Sequence, residues 1–496
     1  MARLPRLGPA ILAGHPGPLA LPRYDRAALR PGIVHLGLGA FFRAHGVLYT
    51  EDVLNAQGVA SAGGDWGILG ASLQRPDQRD RLAPQRGLYT AIEHGAGGVK
   101  ARIVGNLLGV LVAPEDPAAL VARMAAAETR IVSLTVTEKG YCHDPATGRL
   151  RPDHADIRHD LENPAAPRSA VGFLAAALRL RWQAGQKPFS VLCCDNLPHN
   201  GRLLAGLLHD FAALHDDSFA TWIARAVPFP CTMVDRIVPA QTAADLAEAE
   251  ALTGCHDAAP VVHEPFRQWV IEDHFVDGER PDWALAGAQF TADVAPFEHM
   301  KLRLLNGAHS ALAYLGYLAG HETIGDTMAD PAFTAFLRGL WREEILPVLP
   351  PPPGMDLLAY TEALAARFAN PAIRHRTWQI AMDGSQKLPQ RLLGTVRERL
   401  AQGLPVERLA LVVAAWVRYA GGVDERGQPI DVRDPLAQPL RAALDAAGED
   451  PAARVRAALG FTAIFGEDLA ADARFAGAVT GAYRRLLSAG ARAALA

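Results

Sequence analysis

Short apolar runs bounded by turn residues set the pattern of the first 280 residues. Residues 32–37, 66–70, 130–135 and 189–194 are each five or six positions rich in Ile, Val and Leu. Runs of this kind suit buried strands of a mostly parallel sheet. Between them lie Ala/Leu-rich segments such as 117–128 and 169–184, whose apolar positions recur at helical spacing. Strand alternating with helix predicts a doubly wound α/β sheet of Rossmann type. After residues 277–282 the pattern changes. Helical periodicity runs through 300–319, 331–346, 356–368, 389–402, 405–420 and 436–446, strand signals are missing, and a proline run at 350–353 marks a stiff connection. The expected organisation is an N-terminal extension over 1–29, a dinucleotide-binding domain over 30–285 and a mainly α-helical domain over 286–496.

Composition narrows the classes. Hydrophobic residues make up 50% of the chain and the net charge is −4, with no basic stripe. This argues for a globular protein that does not take nucleic acid as its main partner. No apolar run reaches the roughly 20 residues of a membrane span. Glycine and proline interrupt the first 22 residues, which read as a loose extension and not a signal peptide. Cys142, Cys193, Cys194, Cys231 and Cys255 include no C-x-x-C pair. Reduced thiols in a cytoplasmic protein are expected, and a cysteine zinc site is not. A monomer or small homo-oligomer is expected.

Of the 49 basic residues only five are lysine, at 100, 139, 187, 301 and 387. Arginine serves for surface charge, but its guanidinium stays protonated and cannot act as a base. Lys301 lies in Glu298-His-Met-Lys301-Leu-Arg-Leu-Leu-Asn306-Gly-Ala-His309. On an α-helix Glu298, His309 and Asn306 would stand about 60°, 80° and 140° from Lys301, on one arc. An amine, an amide and an imidazole together suit removal of a proton from an alcohol. The alternative is a solvated helix face, though Gly307 would weaken an exposed helix.

The stretch His35-Leu-Gly37-Leu-Gly39-Ala-Phe41-Phe42-Arg43 follows the first strong strand. Gly37 and Gly39 would let the backbone approach a pyrophosphate, while Phe42 stands where a third glycine is usual. The next strand runs on into Gln74-Arg75-Pro-Asp77 without an immediate carboxylate, so NAD and NADP both remain open. Asp195-Asn196 ends a later strand, where ligands of such sheets gather; an Asx turn is the plainer reading. Gln379, Asp383 and Lys387 recur at i, i+4, i+8, as either a hydroxyl-binding face or a capped structural helix. No Tyr-x-x-x-Lys, G-x-S-x-G or G-x-x-x-x-G-K motif occurs, and Gly320-His321-Glu322 lacks the further ligands of a zinc alcohol dehydrogenase.

Val227-Pro-Phe229-Pro-Cys-Thr232-Met-Val234-Asp235-Arg236-Ile237-Val-Pro239 resembles the signature of the mannitol dehydrogenase family, the polyol-specific long-chain dehydrogenases. Thr135-Val-Thr-Glu138-Lys139-Gly140, Cys194-Asp-Asn196-Leu-Pro198 and the Lys301, Asn306, His309 spacing resemble it in the same order. The resemblance implies a zinc-independent enzyme, dependent on NAD or alternatively NADP, that interconverts a sugar alcohol and its ketose, with its active site between the two domains. It implies Lys301 as general base, Asn196 and Asn306 around the reacting oxygen, His309 positioning substrate and Glu298 relaying the proton. Lys387, Gln379, Asp383 and Arg376 would bind substrate; Gly37, Gly39, Phe41, Arg43, Glu138 and Asp235 would hold the cofactor. Burial and a cationic nicotinamide would both favour the neutral amine of Lys301. Gln379 stands where mannitol-oxidising members carry Arg, so the fructuronate reductase and arabinitol dehydrogenase branches are alternatives. A nucleotide-binding sensor without turnover is the non-enzymatic one.

Overall fold

The computed structural model describes residues 4–61, 66–95, 97–144 and 147–496. The chain forms two compact units, Met1–Ala295 and Pro296–Ala496. The first is built on five parallel strands: β1 (Pro31–Leu36), β2 (Gly67–Ser72), β3 (Leu107–Val112), β4 (Ile131–Leu134) and β5 (Ser190–Cys193). Their spatial order is β3-β2-β1-β4-β5. The sequence order reverses between β1 and β4, the switch point of a doubly wound sheet. Val34 on β1 lies opposite Leu69 on β2 and Val132 on β4, which places branched side chains side by side. Four of these strands coincide with the apolar runs above; β3, Leu-Leu-Gly-Val-Leu-Val, is a fifth outside those runs.

Helices cover both faces. On one, Pro117–Ala125 and Ala170–Gln183 bury Leu120, Met124, Phe173 and Leu178 against Val34, Val132 and Val191. Ser169 caps the second of these by accepting from Gly172 N at 2.9 Å, and its own hydroxyl donates to Asp160 at 2.6 Å. On the other face Val47, Leu48 and Tyr49 of Gly46–Ser61 pack with Ile33, Ile68, Trp269 and Trp283. Two further three-stranded sheets complete the unit. One joins Gly98–Val104, Tyr89–Gly95 and Val261–His263; the other joins Gln289–Thr291, Gln268–Glu272 and Thr232–Asp235.

The described part of the N-terminal extension is not loose. Leu7 and Ile11 are buried against Leu88 and Ile103. Leu7 N donates to His256 O at 3.0 Å, and Ala20 pairs with the strand around Arg102. Tyr24 donates to the buried Glu51 at 2.7 Å. The apolar side chains spaced between the prolines and glycines supply enough buried surface to hold the segment down.

The second unit contains no named strand among the described residues. Gly307–Leu318 and Glu407–Ala420 are buried on nearly every face and form its centre, as expected of helices apolar all round. Ala473–Ala493, Ile324–Ala329 and Leu357–Phe368 pack around them. No described helix is long and apolar enough to cross a membrane.

Asp195, just past β5, ties the carboxyl ends of two strands together. It accepts from Val136 N at 2.9 Å, Thr137 N at 3.1 Å and the Tyr141 hydroxyl at 2.6 Å. Asp195→Ala leaves these donors without their acceptor and should cost about 3 kcal/mol, measured as a drop in the denaturant midpoint of the full chain.

Candidate active site

In the first unit a cleft of about 510 Å³ opens at the carboxyl ends of β1, β2 and β4. Gly37, Ser72, Gln74, Arg75, Thr137 and Lys139 are among its lining residues. Gly37 has φ 86°, and a Cβ there would lie 2.3 Å from the Thr135 carbonyl oxygen. Only glycine lets the turn after β1 pass this close to β4. Gly39 precedes a helix that runs only from Ala40 to Ala44; after His45 a second helix starts at Gly46. The helical stretch expected after the turn is therefore broken at its first turn.

The other residues expected at the cofactor lie as follows. Phe41 is partly buried and stacks on His45 at 5.0 Å. Arg43 points into the core: its Nη1 donates to Ala259 O at 2.5 Å and its guanidinium lies over the Tyr89 ring. Asp235 is buried at the end of its strand and Glu138 is exposed. None of these four lines the cleft, and of the expected set only Gly37 does. Arg43 is the clear correction, since its charge is spent on a carbonyl and a ring inside the fold. Asn196 is exposed on the loop after β5.

In the second unit the sequence around Lys301 departs from a plain α-helix. Ala295–Met300 is α-helical, Lys301–Asn306 is a π-helix, and Gly307–Leu318 resumes the α form. The even arc drawn from 100° per residue does not hold here. A π turn closes between residues five apart, so Asn306 stands about one turn above Lys301 and not well round the helix from it. Such turns are frequent at functional sites. Lys301, Glu298 and His309 are all buried. Asn306 Oδ1 and His309 Nε2 are buried without a protein hydrogen-bond partner among the described residues.

Neighbouring elements hold the π turn in place. Trp341 Nε1 donates to Leu304 O at 2.9 Å, satisfying a carbonyl within the widened ladder. Trp341 belongs to a second π segment, Leu340–Ile345, and a third spans Pro389–Leu393. A Cβ on Gly307 would lie 2.9 Å from Arg391 O, so the glycine that weakens the helix is what admits the third segment. Arg303 adds a two-pronged pair to Glu398 at 2.5 and 2.6 Å.

The i, i+4, i+8 face of Gln379, Asp383 and Lys387 is not formed. Thr377–Ala381 and Gly384–Leu388 are separate short helices, broken at Asp383, whose φ is 55°. Gln379 is exposed. Arg376 is exposed and lies 3.7 Å from Glu322. Lys387 turns back to donate to Met382 O at 2.6 Å. Beside the break, Gly384 packs so closely that a Cβ there would lie 2.4 Å from Tyr314 Oη and 2.5 Å from Trp416 Nε1.

His375 opens the stretch that ends at Gln379 and carries no expected site role, yet its ring lies 5.4 Å from that of His309, edge to face. Its Nδ1 is also buried without a protein partner among the described residues. No spacing rule signals it, because the two imidazoles meet across elements. Burial pushes His309 well below the usual histidine value, with His375, Arg391, Arg367 and Lys301 acting in the same direction. Burial also lowers His375, from the ordinary 6.5 to about 4, helped by Lys387 and Arg391. Cationic side chains therefore crowd this part of the second unit.

Comparison with known proteins agrees with the two-unit architecture. Residues 31–285 match the mannitol dehydrogenase Rossmann domain and residues 293–487 the mannitol dehydrogenase C-terminal domain. The chain belongs to the mannitol dehydrogenase family. It is 50% identical over 480 residues to D-mannonate oxidoreductase of Escherichia coli, covering 96% of this chain and 97% of that one. It is 41% identical over 484 residues to mannitol 2-dehydrogenase of Pyricularia oryzae, covering 96% and 95%. The solved Pseudomonas fluorescens mannitol 2-dehydrogenase ternary complex with NAD and D-mannitol superposes with a TM-score of 0.89 at 40% identity, covering 99% of this chain and 98% of that one.

The lowered imidazoles generate a test on stability. A histidine depressed on folding contributes stability that is fully present above its unfolded value and lost as the pH falls toward its folded one. For His375 that window runs from 6.5 down to about 4, with a slope of at most about 1.4 kcal/mol per pH unit. Thermal unfolding between pH 7 and pH 5 should show a shallower loss in His375→Gln than in the wild type.

Proposed function

We propose that this chain is an NAD-dependent dehydrogenase acting on a secondary alcohol of an open-chain, hydroxyl-rich sugar derivative. The observation that carries the reading is the buried Lys301 at the head of a π turn shared with Asn306 and followed by His309. A dinucleotide fits the first unit: the cleft lies at the switch point, and Gly37 keeps its floor free of a side chain. Bound there, the nicotinamide supplies a hydride acceptor for oxidation and a donor for reduction. NAD is the dinucleotide in the ternary complex of the Pseudomonas fluorescens enzyme. Arg75 lines the cleft here, so NADPH belongs in the assay beside NADH.

The chain's own groups have the following roles in this proposal. The Lys301 amine takes the hydroxyl proton during oxidation and returns it during reduction. Asn306 and Asn196 steady the reacting oxygen, Glu298 passes the proton onward, and His309 orients a neighbouring hydroxyl. The buried, unsatisfied Asn306 Oδ1 and His309 Nε2 support this, because hydroxyls of a bound substrate would complete them. Lys387 is held by backbone carbonyls and serves to position substrate. A neutral imidazole at His309 can both accept and donate.

Two substrate readings are separable. The 50% identity to D-mannonate oxidoreductase and the cations around His309 and His375 favour a sugar acid, whose carboxylate needs a positive partner. The likeness to mannitol 2-dehydrogenases favours an uncharged sugar alcohol and its ketose. NADH oxidation with fructuronate against fructose decides between them. A kcat/KM at least about tenfold higher for one, a difference of about 1.4 kcal/mol, assigns the class. No turnover with either would leave the sensor reading.

Lys301→Ala should lower kcat by at least about 10³-fold, the scale of a lost general acid–base group, while NADH binding measured by fluorescence stays within a few-fold of the wild type. Turnover near the wild-type rate in this variant would remove Lys301 from the mechanism.

A further inference from the structure

At the rim of the cleft in the first unit, one ligand atom each from Cys142, His154 and Asp156 lies within 4.8 Å of the others. We propose that these three side chains form a binding site for a zinc-class divalent cation, separate from the Lys301 chemistry. Local structure fixes each one. Cys142 is buried just past the short helix Glu138–Tyr141, and its carbonyl accepts from Arg151 N at 3.0 Å. His143 and Leu150 pair as a bridge, so the chain folds back on itself and returns to Cys142. At the start of the helix Ala155–Glu162, His154 Nδ1 accepts from Asp156 N at 3.2 Å, and ligation through Nδ1 would exchange this cap for the metal. The Asp156 carboxylate reaches within 3.9 Å of His154 Nδ1.

The donor set selects the metal. Thiolate, imidazole and carboxylate together suit Zn²⁺ and its neighbours, whereas Mg²⁺ and Ca²⁺ call for oxygen alone. Tetrahedral zinc, with bonds of about 2.0–2.3 Å, holds its ligands about 3.3–3.8 Å apart. Each side chain therefore closes in by about one ångström or less. Cys142 and Asp156 both line the cleft, so the fourth position faces open space and takes water. Cys142 and His154 are partly shielded and Asp156 is reachable, which gives the ion both an entry and a sheltered side. The set escapes a cysteine-spacing search because its ligands come from two turns and only one is cysteine.

Zinc titration of the full chain against a chromophoric chelator tests the site without reference to turnover. Wild type should take up one equivalent, and Cys142→Ser and Asp156→Asn should each weaken uptake by at least about tenfold. Cys255→Ser, which removes a half-exposed thiol elsewhere, should leave it unchanged. Co²⁺ should give a thiolate-to-metal charge-transfer band that is missing in Cys142→Ser. Circular dichroism checks that each variant is folded, and Asp156→Asn stands in if Cys142→Ser is not. The proposal fails if wild type does not compete with the chelator, if Co²⁺ gives no such band, or if the folded ligand variants bind as wild type does.

Discussion

The hydrogen bond from Trp341 Nε1 to Leu304 O holds the chemistry of the second unit in place. A π turn widens the helix and disturbs its carbonyl ladder, and an unsatisfied buried carbonyl costs about 1–3 kcal/mol. The indole removes that cost at 2.9 Å in a buried setting. Gly307 removes the other obstacle, since any larger residue would collide with Arg391 O. With both in place, Lys301 and Asn306 become neighbours along the axis. The geometry therefore depends on a tryptophan and a glycine that touch no substrate in the proposed mechanism.

Much of the first unit was legible in the sequence. Buried parallel strands read as apolar runs because both faces are covered, and four of the five were visible that way. The two small sheets were not. Tyr89–Gly95 and Gly98–Val104 mix polar residues and glycines with apolar ones, and the second is exposed at its start, so they carry no continuous apolar signal. The loose reading of the N-terminus failed for a related reason. Prolines and glycines suggest disorder locally, but Leu7, Ile11 and Tyr24 are anchored by residues far along the chain.

The candidate site was legible in its residues and less so in its geometry. The Lys301, Asn306 and His309 spacing pointed to the segment, yet the angular argument assumed an α ladder that the structure lacks. Propensity cannot announce a π turn, because its cost is met by partners elsewhere. The Gln379, Asp383 and Lys387 spacing failed because the backbone turns left-handed at Asp383 and splits the helix in two. His375 became visible only when the fold placed it beside His309.

The N-terminal segment has one more effect. The strand Gly98–Val104 lies at the border of its sheet, and such a border can recruit another chain. Ala20 occupies that border, taking a hydrogen bond from Ile103 N at 2.9 Å and giving one to Ala101 O at 3.2 Å. The protein thus uses its own leading residues as a guard against edge-to-edge aggregation. A shortened chain would keep its cleft and its lysine but lose that guard, and its weakness would show in solubility before it showed in catalysis.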